Sequence, residues 1–381
     1  MSRSRSISRT TAVFRKELLH IVRDPRSLLM ALAVPLLMLL LFGYALTLDV
    51  DRIPTLIYDQ DGTPESRALI HRLSGSRYFQ ILGYVNGYDA IEREIDHNRC
   101  LLAVVIPARF GREIQRGRQP EAQFLFDGSD SNTASIALGY AESVVGVHAR
   151  VLREEFFNRR GGGKFKMPVE PRLRVWYNSG LESRNYIVPG LIAVILMIIA
   201  ALLTSLTIAR EWEMGSMEQL LSTPLRPHEI VLGKMAAYFT LGLTDMLVAI
   251  GVGVFLFGVP FRGNFLLVIG AGCVFLMGAL FWGILLSAMA KTQLLAFQLG
   301  MVTSFLPAFL LSGFVYAIEN MPVVIQVITY VFPSRYFITI LKGIFLKGVG
   351  LDVLWMEAAF LVVYGTVVFL AATRKLKPKI A

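Results

Sequence analysis

Few residues in this chain have the types and spacing needed for covalent chemistry. His71, His97 and His148 are scattered over helical runs, where they read as solvated side chains, and no Ser-His-Asp or paired-carboxylate arrangement accompanies them. Asp59, Asp61, Asp127 and Asp130 stand at strand ends, where turn and helix-capping roles account for them better than a metal cluster does. The two cysteines, Cys100 and Cys273, cannot build a disulfide framework, and with five histidines they are too few for a structural zinc site. Cys100 reads as a small buried apolar residue. Gly161-Gly162-Gly163-Lys164 lacks the earlier Gly and the Ser/Thr of a phosphate-binding loop and reads as a linker. Nothing here cleaves, reduces or phosphorylates a substrate. What remains is a polar, charged island, Ala209 to Lys234, set between two long apolar runs. Its chemistry is that of a contact surface.

The elements around the island are membrane-weighted. Hydrophobic residues make up 54% of the chain and charged residues 17%, below the roughly 25% of a soluble domain. The net charge of +10 lies beside apolar runs rather than among aromatic platforms, which excludes nucleic acid as the partner and favours membrane orientation and membrane lipids. Met1–Arg9 reads as a disordered basic tail. From Thr11 to Arg23, Val13, Phe14, Leu18, Ile21 and Val22 fall on one helical face, with basic residues on the rest, as in a helix lying among lipid headgroups. Asp24-Pro25 ends it.

Six spans follow from the apolar runs: Leu28–Leu48, Tyr186–Ile208, Met235–Phe257, Phe265–Met289, Leu295–Ile318 and Leu354–Ala372. Residues 49–184 hold no span; short β-rich and helical runs alternate there, as in a compact α/β or α+β domain. The helical runs include Glu65–Leu73 and Thr133–Phe157, and Arg172–Tyr177 is a last strand candidate. The connection 319–351, broken by Pro322 and Pro333, suits a re-entrant or interfacial helix hairpin. Roughly fifteen Lys and Arg, Lys291 among them, fall on the side of the N-terminus against about four in the short loops opposite. Both termini, 1–26 and 374–381, are therefore expected in the cytoplasm with the island, and the domain outside it.

Within the spans, Asp245 is either a polar contact on a transport path, or a cation-sensing group, or the partner of an internal hydrogen bond to Thr240, Thr244 or a neighbouring helix. Met301, Phe305 and Phe309, at spacings of four, are either a pliable apolar substrate surface or packing. Glu357, near the end of its span, reads as interfacial. In the island, Met214, Met217, Leu220 and Leu221 form an apolar edge with Arg210, Glu211 and Glu218 on other faces. Thr223-Pro224 stops this helix and Pro227 starts the next, which gives the island the form of a short stiff lever.

This arrangement resembles the type 2 ATP-binding-cassette (ABC) transporter permeases, and among them the bacterial drug-efflux-like members. The resemblance covers nearly the whole chain and is carried by Ala209-Arg210-Glu211-Trp212-Glu213-Met214-Gly215-Ser216-Met217-Glu218-Gln219-Leu220-Leu221-Ser222-Thr223-Pro224-Leu225-Arg226-Pro227, by Leu311-Ser312-Gly313-Phe314 with Glu319-Asn320-Met321-Pro322, and by Pro333-Ser334-Arg335-Tyr336-Phe337 with Gly343–Gly348. It implies a polytopic six-span permease, not itself an enzyme, in a bacterial inner membrane. It further implies a second permease subunit (homodimer or heterodimer) and a cytoplasmic ABC ATPase that carries ATP and Mg, while this chain binds no cofactor. Arg210, Glu211, Glu213, Gly215, Glu218, Gln219, Leu220, Leu221, Thr223, Pro224 and Arg226 would couple to the ATPase. Spans two and five would line the cavity between subunits, which draws Asp245, Met301, Phe305 and Phe309 toward the substrate path. Where an outer membrane exists, the outer domain could meet a periplasmic adaptor protein. An integral membrane enzyme or a receptor, each using the outer domain, are the rival readings; an associated ATPase discriminates against both.

Overall fold

The computed structural model describes residues 2–45, 51–118, 120–159, 176–178, 182–290 and 292–376. Gly161–Lys164, Lys291 and most of Arg172–Tyr177 lie outside them. The chain forms two compact units, Met1–Thr47 with Arg174–Ala381, and Leu48–Leu173. Residues 174–184, expected in the outer domain, go with the first unit.

The smaller unit is built on strands β1 (Ile53–Asp59), β2 (Phe79–Tyr84), β3 (Leu102–Ile106) and β4 (Gln123–Phe126). They lie in the order β2-β1-β3-β4, with β1 parallel to β2 and β3, and β4 antiparallel to β3. Between the strands run α3 (Pro64–Ser74), α4 (Tyr88–Asp96) and α5 (Phe110–Gln115), and after them α6 (Ser131–Arg159). Alternation along the strands explains the layers. Ile53, Ile57, Leu102, Val104 and Ile106 pack with Leu69 and Leu73 of α3 and Ala137 and Ala141 of α6. On the opposite face Leu56, Ala103 and Val105 pack with Ile91 of α4. β3 is buried along its whole length, as a central strand covered on both faces must be. Cys100 is buried and donates its thiol to the Leu102 carbonyl at 2.9 Å. Asp59 accepts from the Asp61 and Gly62 backbone amides, both at 3.0 Å, and Asp127 from that of Ser129 at 2.9 Å, so these aspartates hold turns. His148 differs from expectation. It lies on the inward face of α6, 5% exposed, and neither ring nitrogen has a hydrogen-bond partner among the described residues.

The larger unit begins with α1 (Ser2–Arg23) and α2 (Pro25–Ala45). The expected disordered tail is instead the first turns of α1, held by a 2.6 Å hydrogen bond from the Ser6 hydroxyl to Glu229. The first expected span, Leu28–Leu48, coincides with α2 as far as Ala45; residues 46–48 lie outside the described ones. Within the described residues the apolar part of α2, Ala31–Ala45, is shorter than a span, and five other stretches are long and apolar enough to cross a membrane. They are α7 (Ser183–Glu213), α9 (Pro227–Gly251) continued by the π-turn Val252–Leu256, α10 (Phe265–Met289), the composite of α11 (Gln293–Gly300), π-turn Met301–Phe305 and α12 (Leu306–Leu310), and α15 (Leu351–Lys375). Between α7 and α9 stands α8 (Ser216–Leu221). α7 is the centre of the unit and is buried along most of its length, while α15 is largely exposed. α10 crosses α7 closely because Gly283 has no side chain: a Cβ there would strike the Thr204 hydroxyl and the Ala201 carbonyl. At the same crossing the Ser287 hydroxyl accepts from the Ile208 and Ala209 amides at 2.9 Å.

The fifth apolar run ends at Leu310, earlier than the expected Ile318. Pro307 has no N–H to return to the preceding turn, the helix loosens into the π-turn just before it, and Gly313 at φ 79° takes the chain out of helical geometry. Beyond it, α13 (Val323–Thr329) and α14 (Pro333–Lys342), the latter prolonged by the π-turn Gly343–Lys347, form a pair bent by 85° at Pro333. This is the geometry of a broken span or a re-entrant hairpin.

Candidate functional site

The island divides into a fixed root and an exposed tip. Ala209–Glu213 is the last turn of α7, so the root is an extension of the central helix. Gly215 then takes φ 70°, a left-handed value that a side chain would resist, and the chain restarts as the single-turn-and-a-half helix α8. This break resets the helical phase. Met214, expected on the apolar edge with Met217, therefore points outward at 69% exposure, whereas Met217 is 1% exposed. Leu220 packs beside Met217. Trp212, Glu213, Glu218, Gln219, Thr223, Pro224 and Arg226 are exposed. Of Leu221 only the backbone is described, as the last residue of α8. α9 then starts at Pro227, with the Glu229 carboxylate accepting the Arg226 amide at 2.9 Å.

The root is anchored twice. Gln293, at the start of α11, accepts from Arg210 Nε at 3.3 Å and donates through Nε2 to Glu213 at 2.7 Å. Behind it lies a buried ion cluster. Lys234 Nζ, on a side chain 1% exposed, donates to Glu17 Oε1 at 2.9 Å and to Glu211 Oε1 at 3.0 Å. Lys16 Nζ reaches the same two oxygens at 3.0 and 2.8 Å from the solvent side. Two ammonium and two carboxylate groups cancel, joining α1, the end of α7 and the start of α9. Burial alone would push the Glu17 carboxyl up, but Lys234 and Lys16 outweigh it and hold the carboxyl below its ordinary value. Burial likewise works against the charged form of Lys16, yet Glu211 and Glu17 keep its ammonium above the usual range. The close seat of α1 on α9 is permitted by Gly233, where a Cβ would come within 2.6 Å of Val13 Cβ and 3.0 Å of the Thr10 carbonyl.

The structure thus separates the island residues. Glu211 is 7% exposed and belongs to the cluster, while the outward residues of the tip form a surface. Asp245 is 4% exposed, and its Oδ2 has no hydrogen-bond partner among the described residues. The Thr240 and Thr244 hydroxyls donate elsewhere, to the Ala237 and Thr240 carbonyls at 2.7 and 3.0 Å. Phe305 and Phe309 stack at 5.8 Å, and Phe309 also meets Phe42 and Phe314 at 6.2 and 5.7 Å, an aromatic cluster on the core of the unit. Met301 is half-buried at the start of the π-turn. Glu17 and Gln293 escaped sequence reasoning, and Lys234 figured there only as an inner charge. One signal was present: Val13, Glu17 and Ile21, spaced by four, are the buried stripe of α1, with a carboxylate at its centre.

The comparisons bear on the same span of chain. Residues 25–374 match the model of the ABC-2 family transporter proteins. The chain is 35% identical over 366 residues to the "Probable multidrug ABC transporter permease YbhS" of Escherichia coli K12, covering 96% of this chain and 95% of that one. It is 33% identical to the "Probable multidrug ABC transporter permease YbhR" of the same organism, over 91% and 92% of the two chains. Similarity to the "Linearmycin resistance permease protein LnrN" of Bacillus subtilis is 23%, over 95% and 97%. A match that runs from α2 through the island into the last turn of α15 takes in every helix described above except α1, and the chain is a member of the ABC-2 family of transporter proteins.

Proposed function

We propose that this chain is the membrane-spanning permease subunit of an ABC exporter and moves an amphipathic substrate, drug-like or lipid-like, away from the cytoplasmic side. ATP is hydrolysed, with Mg, on a separate ATPase chain. The observation that carries this reading is the island itself. An exposed tip, Met214 to Arg226, stands on a root locked to α1, α9 and α11. Force applied to the tip cannot be absorbed by its own root, so it passes into α7, the most buried helix of the unit. The names of the relatives support multidrug transport as the activity.

In this reading the six spans are α2, α7, α9, α10, the composite α11–α12 and α15, with the bent pair α13–α14 re-entrant on the outer side. Both termini are cytoplasmic, the smaller unit is extracytoplasmic, and the membrane is a bacterial inner membrane. Two permease subunits enclose a cavity that alternates between inward-open and outward-open as the ATPases close. Asp245, Met301, Phe305 and Phe309 contribute to its walls, and the smaller unit offers a surface to a periplasmic adaptor. Co-expression with the candidate ATPase tests this. The pair should co-purify, and Glu218→Ala or Leu220→Ala should lower stimulated ATP hydrolysis and export together. Purification of a folded permease with no ATPase bound, under conditions where export operates, would sink the reading.

A further inference from the structure

A cleft of about 410 Å³ opens between the α1–α2 elbow and helices α7, α9 and α11, within the range of about 300–1,000 Å³ of small-molecule sites. It contains none of Asp245, Met301, Phe305 or Phe309, so it is a different place from the substrate path. Its walls are apolar: Val34 from α2, Leu203 and Leu206 from α7, Leu241 from α9 and Phe297 from α11. Val34 and Phe297 are 40% and 42% exposed, so the mouth lies on the outer surface of the helix bundle. One end is polar and carries His20, Asp24 and Arg210. Arg210 spends only Nε, on Gln293, and its terminal guanidinium nitrogens have no hydrogen-bond partner among the described residues. The His20 ring has none either, whereas Asp24, at the start of α2, is already engaged.

An apolar slot closed at one end by the unspent guanidinium nitrogens of Arg210 and the imidazole of His20, with Asp24 already engaged, matches one kind of ligand. We propose that the cleft binds a phospholipid with an anionic headgroup, drawn from the membrane leaflet on the side of α1. One acyl chain enters between α2, α7 and α11, and the phosphate accepts from Arg210 and His20. A planar guanidinium with free terminal nitrogens suits phosphate oxygens bidentately. The lipid thereby touches the island root through Arg210, the residue that Gln293 holds from the other side.

The full-length chain is reconstituted in nanodiscs containing phosphatidylglycerol or phosphatidylcholine, each carrying a photoactivatable acyl chain. Labelled residues are mapped, and lipid retention in detergent is counted by native mass spectrometry. Labelling of α7 between Leu202 and Arg210 and preferred retention of phosphatidylglycerol are expected. The double variant His20→Gln with Arg210→Gln should weaken retention of that lipid about tenfold, the worth of one charge-assisted hydrogen bond, and erase the headgroup preference. Leu203→Trp fills the cleft and should abolish labelling; Val34→Trp, from the exposed opposite wall, repeats the test where the first variant folds poorly. Equal retention of the two lipids by the wild-type chain, or labelling unchanged in a folded Trp variant, overturns the proposal. Because binding rather than transport is read, the outcome is separate from that of the export reading.

Discussion

Two carboxylate sites in the larger unit are buried to nearly the same degree and are treated in opposite ways. Glu17 and Glu211, 4% and 7% exposed, share the buried ammonium of Lys234 and the outer one of Lys16. Asp245, 4% exposed, has no ion pair among the described residues and its Oδ2 has no hydrogen-bond partner there; Glu211 Oε2 also lacks one, but Glu211 Oε1 takes two ammonium groups. The first arrangement is architecture: opposite charges offset each other's desolvation and tie three helices together. The second has no such function within the subunit. A lone carboxylate in an apolar span is costly, and under the export reading it faces the substrate cavity. The difference teaches how to sort buried charge in a permease, by whether the fold itself supplies the partner.

The comparison is broken most forcefully at Lys234. Lys234→Met leaves the two buried carboxylates with only the outer ammonium of Lys16 and should cost about 3–5 kcal/mol in reversible unfolding. Adding Glu17→Gln and Glu211→Gln should recover most of that loss. A Lys234→Met protein as stable as wild type would mean the cluster ties nothing. Asp245→Leu should shift stability the other way, by about 1–3 kcal/mol, because it removes an unpaired polar group from the interior. Under the export reading the same variant, and Asp245→Asn, should slow transport of a cationic amphiphile; normal export by both removes Asp245 from the path. Gln293→Ala removes the outer clamp on Arg210 and Glu213, at a solvent-exposed site, and should cost about 1 kcal/mol in the same unfolding measurement. The smallest effect is a slope. The Glu17 carboxyl is held below its ordinary value of 4.5, so its contribution is complete above that pH and is lost as pH falls through the lower folded value. Melting temperature followed from pH 6 downward should fall more steeply for wild type than for Lys234→Met, where the main attraction on Glu17 is gone.

His148 in the smaller unit obeys the same logic with the charge reversed. Burial, and then the neighbouring Arg72, holds its ring below the ordinary value of 6.5. The native state therefore resists a proton that the unfolded state accepts, and stability falls as pH drops below 6.5. His148→Leu should flatten that part of the profile.

The apolar runs and the strand alternation were legible because each is a local pattern, read within about ten to twenty residues. Hence Glu65–Leu73 and Thr133–Phe157 meet α3 and α6 closely, and the island spans the end of α7, α8 and the start of α9. What was not legible is pairing across distance. Nothing near Glu17 announces Lys234, and a carboxylate on a basic helix reads as solvated until α9 is laid against it. The Ser/Arg-rich start looked disordered because its ordering bond comes from Glu229. Met214 was misplaced because a regular helix was continued through Gly215, whose left-handed turn belongs to the backbone rather than to the apolar pattern. The early end at Leu310 was missed because the Leu-rich sequence continues past the point where Pro307 and Gly313 have already undone the helix.

The lock between Glu17 and Lys234 also has a history in time. The partners stand 217 positions apart, so the first is made long before the second exists. At a synthesis rate of roughly 5–20 residues per second, α1 waits tens of seconds for the helix that will neutralise it. Under the export reading, with α1 on the cytoplasmic side, Glu17 stays wet during that interval and α1 rests on the ribosome-facing membrane surface. In that reading the basic residues flanking that carboxylate, Arg15 and Lys16 on one side and His20 and Arg23 on the other, would keep the helix at the headgroup layer until α9 arrives. Closure of the cluster would then require that α7 and α9 are already in place beside α1.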